Sequence, residues 1–429
     1  MNKMTWRSAA LTRYKREMKI MRIMHTSDWH LGKNLEGFSR MDEQERFIED
    51  FINIVDKNNI DMVIIAGDIY DNGNPPARAE KMFYDCIKKV SNKGERLVLI
   101  IAGNHDNPER LVAASPLAYD EGIILMGTPK TIIPKGKYGD FKVINSDLGC
   151  LEIEVKGERT VIISLPYPSE KRLNEILSKE MDNDEDRRKT YSERIGEIFS
   201  NLQEKYYKDD TVNLAISHIF VDGSEETDSE RPIQLGGSLA VDADKLPKKA
   251  QYIGLGHLHK PQKVRGLGNA YYSGSPLPYS KSERGYSKGC KIIDVHPGEK
   301  AIIEDVYFNN YKPIEVWSCN GIEEAINKCK ENKEKDMWLY LHIKTKEYIS
   351  TEDIKALKEI KKDIVEIVPE IEEKREEVFK GNIKEKSMAE LFKSFYFNQR
   401  GIEANEELMD LFLSIAQEED AHETEETCD

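Results

Sequence analysis

The chain has 429 residues, of which 39% are hydrophobic and 33% are charged, and its formal net charge is -15. This length exceeds what one hydrophobic core usually supports, so two or three domains are expected. No apolar run approaches the ~18 residues of a membrane-spanning helix, which excludes an integral membrane protein. The six scattered cysteines form no C-x-x-C pair, which argues against a zinc knuckle or a disulfide framework and favours a reducing cytoplasm.

The charge is unevenly distributed along the chain. Residues 1–20 form a basic arm without the central apolar segment of a secretory signal, and we interpret it as an extension from an upstream start codon or as a disordered arm. The remainder is acidic. Acidity is unusual for a nucleic-acid binder, because phosphate neutralisation supplies much of such a protein's affinity.

Strands and helices alternate in the first part of the chain. Residues 20–26 have the pattern of a short buried strand, residues 44–57 that of an amphipathic helix, and residues 62–66 that of a second buried strand. Helix 77–90 and strand 97–102 repeat the order. This alternation predicts a parallel or mixed sheet with helices outside, and ligands of such sheets gather beyond the carboxyl ends of the strands.

Beyond residue 119 the pattern changes to strands separated by turns, as expected of a second sheet. A polar helical insertion is predicted over residues 170–207. The predicted strands of this region cover residues 122–126, 150–155, 160–165, 212–217, 252–255, 271–274 and 290–295.

The composition shifts toward Glu and Lys after residue 310, which ends a main domain that we assign to residues 21–310. Residues 311–370 show strand-helix-strand-helix-strand signals and predict a small α+β domain. Two amphipathic helices follow within residues 388–418, and two helices alone cannot form a core, so their apolar stripe suggests a partner groove. A charged linker at residues 371–387 precedes them and an acidic tail at residues 419–429 follows.

Five short blocks contain the residue types of a two-metal phosphoesterase centre, and each follows a predicted strand. A shell that mixes carboxylate, amide and imidazole groups suits Mn²⁺, Fe or Zn²⁺ better than Ca²⁺. A single D-x-H or G-D match would be weak evidence, whereas five matches in order are strong evidence. The blocks are Asp28-Trp29-His30, Gly67-Asp68, Gly103-Asn104-His105-Asp106, His218 and Gly256-His257-Leu258-His259.

The spacing within the blocks suggests how two ions are held. Side chains two residues apart in an extended segment face the same way, so Asp28 and His30 are expected to reach one ion, while His257 and His259 address one ion each. Asp68, on a tight turn after a glycine, is the candidate bridge between ions ~3.5–4 Å apart. Two such ions would activate a water and neutralise phosphate charge, which fits the absence of a convincing Ser or Cys nucleophile motif.

In this order the blocks resemble the calcineurin-like metallophosphoesterases, whose motifs are D-x-H, G-D, G-N-H-[DE], H and G-H-x-H. The resemblance implies an α/β fold with two stacked mixed β-sheets flanked by helices, a four-layer sandwich. It also implies that His105 is a non-ligand histidine acting beside the scissile phosphate, with Asp71 as its pairing aspartate or, alternatively, a loop cap. One ion would be held by Asp28, His30, Asp68 and His259, and the other by Asp68, Asn104, His218 and His257.

The sequences around the blocks further resemble the SbcD family of bacterial exonuclease subunits. Examples are H-T-S-D-W-H-L-G at residues 25–32 and G-L-G-H-L-H-K-P at residues 254–261. That resemblance implies Mn²⁺-dependent 3′ to 5′ exonuclease action on double-stranded DNA ends. It also implies endonuclease action on single strands and hairpins, in DNA repair and recombination, in the cytoplasm at the nucleoid.

The same resemblance implies a heterotetramer in which two copies of the chain join an SbcC-type coiled-coil ATPase. The C-terminal helices resemble the family segment that grips the base of that coiled coil. The residues assigned to this contact are Leu391, Phe392, Phe395, Tyr396, Leu408, Leu411 and Phe412.

Other residues near the blocks receive simpler interpretations. We interpret His25 as a satisfied histidine inside or beside the first strand, and Trp29 as packing beneath the site. Three further histidines are expected at the surface or in loops: His296, His342 and His422. Four residues are candidates for DNA phosphate contacts, although each alone could be an ordinary solvated side chain: Lys33, Asn34, Arg78 and Lys260.

Two rival functions remain open on the sequence. A cyclic-nucleotide or other small-substrate phosphodiesterase could carry the same metal residues, but it would not need the C-terminal helices. A mainly structural DNA-end tether is the second rival, and in that case the metal site would be secondary.

Overall fold

The computed structural model describes residues 20–169, 184–230, 239–345 and 348–371, and beyond them 387, 389–393, 396, 408–409 and 412–413. Most of the predicted arm, linker and acidic tail lie outside these residues, as do Phe395, Leu411 and His422. The chain divides into two compact units. The first extends to Glu315 and includes Asp336–Trp338, and the second comprises Val316–Lys335 and the residues from Leu339 onward.

The described strands and helices of the first unit are numbered in chain order. The strands are β1 Met21–Thr26, β2 Asn34–Leu35, β3 Phe38–Ser39, β4 Met62–Ala66, β5 Leu97–Ile101, β6 Ile123–Met126, β7 Gly136–Tyr138, β8 Phe141–Asp147, β9 Cys150–Val155, β10 Glu158–Leu165, β11 Val212–His218, β12 Tyr252–Gly256, β13 Gln262–Lys263, β14 Ala270–Tyr272, β15 Gly289–Val295 and β16 Ile302–Tyr307. The α-helices are α1 Met41–Lys57, α2 Ala77–Ser91, α3 Pro108–Val112, α4 Ser115–Ala118 and α5 Asp184–Tyr206.

Two mixed sheets form the centre of the first unit. The six-stranded sheet has the order β16-β15-β1-β4-β5-β6, with β1, β4, β5 and β6 parallel and β15 antiparallel to both of its neighbours. The eight-stranded sheet has the order β13-β14-β12-β11-β10-β9-β8-β7, in which β14, β12, β11 and β10 are parallel. Each sheet therefore presents the carboxyl ends of several parallel strands at one edge, which is where the sequence predicts ligands.

The apolar residues of the strands explain the layering. One buried cluster combines residues of both sheets, such as Ile64 of β4 and Leu214 of β11, so the sheets pack face to face. A second cluster covers the outer face of the six-stranded sheet with α1 and α2, through residues such as Phe47 and Phe83. The order helix, sheet, sheet, helix confirms the predicted four-layer sandwich.

Helix α5 provides the fourth layer and corrects one expectation. The sequence suggested a polar insertion over residues 170–207, but within its described part Tyr191, Ile195 and Phe199 are fully buried against the eight-stranded sheet. The apolar residues lie four apart, on one helical face, among many charged residues that hide the pattern from a composition-based reading. The described helix is therefore a structural layer of the sandwich.

The second unit has the predicted order of elements, strand-helix-strand-helix-strand. Its strands β17 Ile314–Asn320, β18 Trp338–Thr345 and β19 Ile364–Ile371 form one sheet in that order, and its helices are α6 Ile322–Glu331 and α7 Thr351–Ile360. Its core includes the buried side chains Ala325, Cys329, Leu341, Ile343, Leu357 and Ile364.

His342 lies within β18 and is partly buried, so it is not in a loop. Among the described residues, no helix has the length and hydropathy that a bilayer crossing requires.

Candidate metal centre

All seven predicted metal ligands lie at or directly after the carboxyl end of a parallel strand. Asp28 and His30 follow β1, Asp68 follows β4, and Asn104 follows β5 in the six-stranded sheet. In the eight-stranded sheet, His218 ends β11, and His257 and His259 follow β12. Because the two sheets pack face to face, these two sets of strand ends meet at one edge of the sandwich.

Asp28, His30 and His259 form the first half of the site. Nε2 of His30 and Nε2 of His259 are 2.9 Å apart, and the donor atoms of all three residues lie within 4.8 Å of one another. All three side chains are almost fully buried. Their convergence therefore fits a shared cation better than a solvated polar cluster.

The backbone reason for this convergence differs from the prediction. Asp28 and His30 have φ values of 55° and 44°, so the segment is not extended and strand alternation does not align the two side chains. Two left-handed residues instead turn the chain, and Asp28 N and His30 N donate to the main-chain oxygens of Gly67 and Asp68. The loops after β1 and β4 thus hold each other in place.

Asp68 lies between the two halves of the site. Its Oδ2 is 3.6 Å from Nε2 of His30 and 3.4 Å from Nε2 of His218, and the side chain is 2% exposed. Its Oδ1 accepts a hydrogen bond of 2.9 Å from the main-chain N–H of His105. One carboxylate oxygen thus faces both sets of imidazoles, the position that a bridging ligand requires.

Asn104, His218 and His257 form the second half. The Oδ1 of Asn104 is 2.9 Å from Nε2 of His218 and 3.2 Å from Nδ1 of His257. Nδ1 of His218 donates to the main-chain oxygen of Ala66 at 2.8 Å, which leaves Nε2 free to bind an ion. Amide oxygen and imidazole nitrogen are donors that a borderline divalent cation accepts.

Two glycines make room for this arrangement. A Cβ on Gly67, whose φ is 90°, would lie 2.3 Å from Nδ1 of His218. A Cβ on Gly103 would lie 2.1 Å from Oδ1 of Asp68. Both contacts are far shorter than a van der Waals contact, so the glycines of the G-D and G-N-H-D blocks are required by close approach.

The electrostatics of the ligand set favour a bound cation. Burial raises the pKa of Asp28 to about 6 and lowers the pKa of His257 to about 3. Burial also opposes protonation of His218, but the carboxylate of Asp68 outweighs it and raises the pKa of His218 to about 9. The buried carboxylates therefore lack solvent stabilisation, which divalent cations would supply. The residues fit a divalent metal centre, and such ions would activate water and neutralise phosphate charge.

His105 lies beside the centre, with Nε2 4.0 Å from Oδ2 of Asp68. Its Nδ1 donates at 2.7 Å to the main-chain oxygen of Asp71, and not to the aspartate side chain that the family resemblance implied. The Asp71 carboxylate lies 3.3 Å from Nζ of Lys33. The main-chain contact orients His105 with Nε2 toward the centre without depending on the aspartate side chain.

The three basic candidates for DNA contact all have acidic neighbours. Lys33 pairs with Asp71, as described above, Arg78 pairs with Asp42 and Glu45, and Lys260 pairs with Glu225. The fourth candidate, Asn34, is exposed at the start of β2. Their role in DNA binding stays a prediction.

Asp106 is a residue of the site to which the sequence reasoning gave no role. Its buried carboxylate accepts hydrogen bonds from the main-chain N–H groups of Ile69, Tyr70 and Gly103, at 3.2, 3.1 and 2.8 Å. It thereby ties the loop after β4 to the loop after β5. Its place in the G-N-H-D block was the available signal, but the acceptor geometry depends on both loops.

Trp29 and His25 behave largely as expected. The Trp29 ring is buried and meets Phe47 and Phe51 edge-on, with 5.2 Å between ring centroids in each case. Nδ1 of His25 lies 2.8 Å from the hydroxyl of Tyr252, whereas its Nε2 is buried without a hydrogen-bond partner among the described residues. His25 is therefore only half satisfied.

Comparison with known proteins adds two sequence matches that together cover most of the chain. Residues 21–261 match the family model of the calcineurin-like phosphoesterases, and residues 310–400 match that of the type 5 capsule protein repressor C-terminal domain. The chain is also 41% identical to the SbcD subunit of the SbcCD nuclease from Bacillus subtilis (strain 168) over 407 residues, which are 94% of this chain and 100% of that relative.

Solved structures match the chain only distantly. A Thermus thermophilus protein matches 67% of this chain and 99% of its own, with 12% identity and a TM-score of 0.35. A dimetal phosphatase from Danio rerio matches 66% of this chain and 98% of its own, with 12% identity and a TM-score of 0.33. Both TM-scores are low, so the sequence matches are the ones that bear on the family.

Proposed function

The chain belongs to the SbcD family of calcineurin-like phosphoesterases, and from this membership we propose that it is the nuclease subunit of an ATPase-coupled complex that cleaves DNA. It is a metal-dependent phosphoesterase. The position of Asp68, buried between His30 and His218 with one oxygen within 3.6 Å of both imidazoles, is the observation that carries the proposal. That geometry supports in-line hydrolysis of a phosphodiester by a water, without a covalent enzyme intermediate.

We further propose that two Mn²⁺ ions are the physiological cofactor. The first would be held by Asp28, His30, Asp68 and His259, and the second by Asp68, Asn104, His218 and His257. The mixture of carboxylate, amide and imidazole donors supports this choice, because Mn²⁺ accepts all three. His105, whose Nε2 faces Asp68, would stabilise the transition state or protonate the leaving oxygen.

For the substrate we propose double-stranded DNA ends, degraded 3′ to 5′, together with single strands and hairpins cleaved internally. The net charge of -15 means that this chain alone offers little general attraction for DNA. A partner subunit would therefore supply much of the DNA-binding surface. Such a complex would act on chromosomal DNA in the cytoplasm, in repair and recombination.

The proposed partner is an SbcC-type coiled-coil ATPase, bound by the C-terminal helices, with two copies of each chain in a heterotetramer. Among the described residues of these helices, the Phe392 ring stacks on that of Phe412 with 3.8 Å between centroids and 6° between planes. The ring centroid of Tyr396 lies 5.9 Å from that of Phe392. Aromatic side chains gathered on adjacent helical segments support a coiled-coil docking surface.

The test is digestion of linear DNA, labelled at one 3′ end, by the full chain co-purified with its ATPase. With Mn²⁺ and ATP, we expect release of the 3′ label at the earliest times of digestion, before most of the duplex is degraded. The variant Asp68→Asn should abolish digestion. Asp209→Asn, at an exposed aspartate of the same unit, is the matched control and should digest DNA normally.

The rival functions correspond to distinct outcomes. Hydrolysis of bis(p-nitrophenyl) phosphate without any digestion of DNA by the complex would favour a small-substrate phosphodiesterase. Binding of DNA ends that survives Asp68→Asn, with no cleavage by the wild-type complex, would favour a structural tether. Either result would overturn the proposal.

A further inference from the structure

His259 differs from His218 and His105 in how the ring nitrogen that points away from the metal centre is held. Nδ1 of His218 donates to the main-chain oxygen of Ala66, and Nδ1 of His105 to that of Asp71. Nδ1 of His259 instead lies 2.5 Å from the hydroxyl oxygen of Ser229, a side chain from a different loop. A substitution at Ser229 can therefore remove the partner of His259 Nδ1 without altering the backbone.

Ser229 is linked in turn to a buried ion pair. Its hydroxyl donates to Oε1 of Glu283 at 2.5 Å, and Glu283 is 0% exposed. The ammonium of Lys288, itself largely buried, donates to Oε2 of Glu283 and to the main-chain oxygen of His259, the latter at 2.8 Å. Lys288 also donates to Ser275 at 2.8 Å. Ser229, Glu283 and Lys288 are here called the positioning group.

The contact between Ser229 and Glu283 fixes where the hydroxyl hydrogen of Ser229 lies. A carboxylate paired with a lysine accepts hydrogen bonds and cannot donate them, so the Ser229 hydroxyl must give its hydrogen to Glu283. The oxygen of Ser229 is then an acceptor for His259, which must carry its hydrogen on Nδ1. Nε2 of His259 is left with a free lone pair, and it faces Nε2 of His30 at 2.9 Å.

We propose that the positioning group fixes His259 as the Nδ1–H tautomer and thereby makes Nε2 a metal-binding atom. Ser229, Glu283 and Lys288 are positioning residues, since they act through His259. The proposal rests on the two-metal function proposed above. Outer hydrogen-bond partners of metal-bound histidines change metal affinity by ~10–100-fold when they are removed.

The first experiment is calorimetric titration of the metal-free full chain with Mn²⁺. We expect Ser229→Ala to weaken one of the two bound ions ~10–100-fold, whereas Ser229→Thr, which keeps a hydroxyl, retains wild-type affinity. Glu283→Gln should also weaken that ion, because a carboxamide can donate and no longer imposes one direction on the hydroxyl. Glu43→Gln is the matched control, because Glu43 is a buried carboxylate that hydrogen-bonds Arg40 rather than a predicted ligand.

The second experiment reads the tautomer directly, by nitrogen NMR of the metal-free chain with ¹⁵N-labelled histidine. The His259 signals, assigned with His259→Gln, should show a protonated Nδ1 in the wild type and a mixture of tautomers in Ser229→Ala. A loss of stability alone would not change the tautomer, and thermal melting of each variant measures stability separately.

The proposal is overturned if Ser229→Ala binds both Mn²⁺ ions with wild-type affinity, or if wild-type His259 carries its hydrogen on Nε2. Failure of the nuclease function is a different result. A wild-type chain that binds two Mn²⁺ ions but leaves DNA intact would refute the nuclease assignment, and the same titrations would still decide the role of the positioning group.

Discussion

The two units of the chain differ in how they use the backbone. In the first unit, four predicted metal ligands, Asp28, His30, Asp68 and His257, have positive φ values between 44° and 106°. In the described part of the second unit, the one residue with positive φ is a glycine, Gly321. Non-glycine residues held in such conformations cost ~1–3 kcal/mol each and persist only where surrounding structure enforces them.

This difference teaches where chemistry can be placed. The strained turns that carry these ligands follow strands whose residues are almost all buried, between a helix layer and a second sheet, so the packing holds the turns fixed. The second unit has one three-stranded sheet whose outer strands mix buried, half-buried and exposed residues. It is suited to present a surface, and the first unit is suited to hold a reactive geometry.

Replacing Asp68 is the strongest test of whether the strained turns of the first unit hold the reactive site. In Asp68→Asn the side chain keeps its size, and asparagine tolerates the left-handed backbone conformation. The substitution removes the negative charge that faces His30 and His218. We expect Mn²⁺-dependent DNA cleavage to fall by at least roughly 1,000-fold, because a shared ligand should matter more than an outer residue worth ~10–100-fold. Cleavage rates of the purified complex measure this. Activity within tenfold of wild type would mean that the strained turns are not the reactive site.

Gly103 tests whether close packing holds the site. Gly103→Ala would place a Cβ 2.1 Å from Oδ1 of Asp68, and we expect a loss of about 3 kcal/mol in the free energy of unfolding together with weaker Mn²⁺ binding. Gly268→Ala is the control, since a Cβ there meets nothing within 4 Å. Thermal melting and Mn²⁺ titration provide the two readouts. Equal stability and equal Mn²⁺ affinity of the two variants would show that the site tolerates displacement of the Asp68 carboxylate.

Much of the site was predictable because short segments of the sequence contain the ligand types, their order and their positions at strand ends. The candidate bridging role of Asp68 followed from a glycine turn after a buried strand, and its side chain lies between the two halves of the site. The left-handed conformations of Asp28 and His30 were not predictable, because contacts with the loop after β4 impose them. The same holds for Asp106 and Ser229, whose hydrogen-bond partners include residues on separate loops, 37 and 54 positions away along the chain.

The strands likewise divide into those that their own sequence predicts and those that depend on a pairing partner. Strands β4 and β9 were predicted with their observed limits, because continuous apolar residues mark the first and alternating apolar residues mark the second. Strands β8 and β16 were missed. Both are largely exposed or half-buried, so their existence depends on pairing with β9 and β15.

Phe392 tests the surface role of the second unit. Phe392→Ala removes the ring that stacks on Phe412, and we expect the affinity for the coiled-coil ATPase to fall by about 2 kcal/mol, as for a central aromatic interface residue. Hydrolysis of bis(p-nitrophenyl) phosphate by the chain alone should not change. Lys393→Ala, at an exposed position of the same helix, is the control. Pull-down affinity and diester hydrolysis measured together would separate the two roles, and a loss of both would contradict the comparison.

The smallest effect is expected at a polar pair within the small sheet. Nδ1 of His342 on β18 lies 2.9 Å from Oε1 of Glu370 on β19, and the two side chains are 23% and 41% exposed. Solvent screens such a pair, so Glu370→Gln should change the free energy of unfolding by no more than ~1 kcal/mol. A Gln side chain keeps the size and an acceptor oxygen, and β18 and β19 remain joined by their main-chain ladder. The melting temperature of the full chain should therefore shift little, and DNA cleavage with Mn²⁺ should be unchanged. A larger loss would mean that the second unit, like the first, depends on specific polar contacts, and the division between a reactive unit and a surface unit would fail.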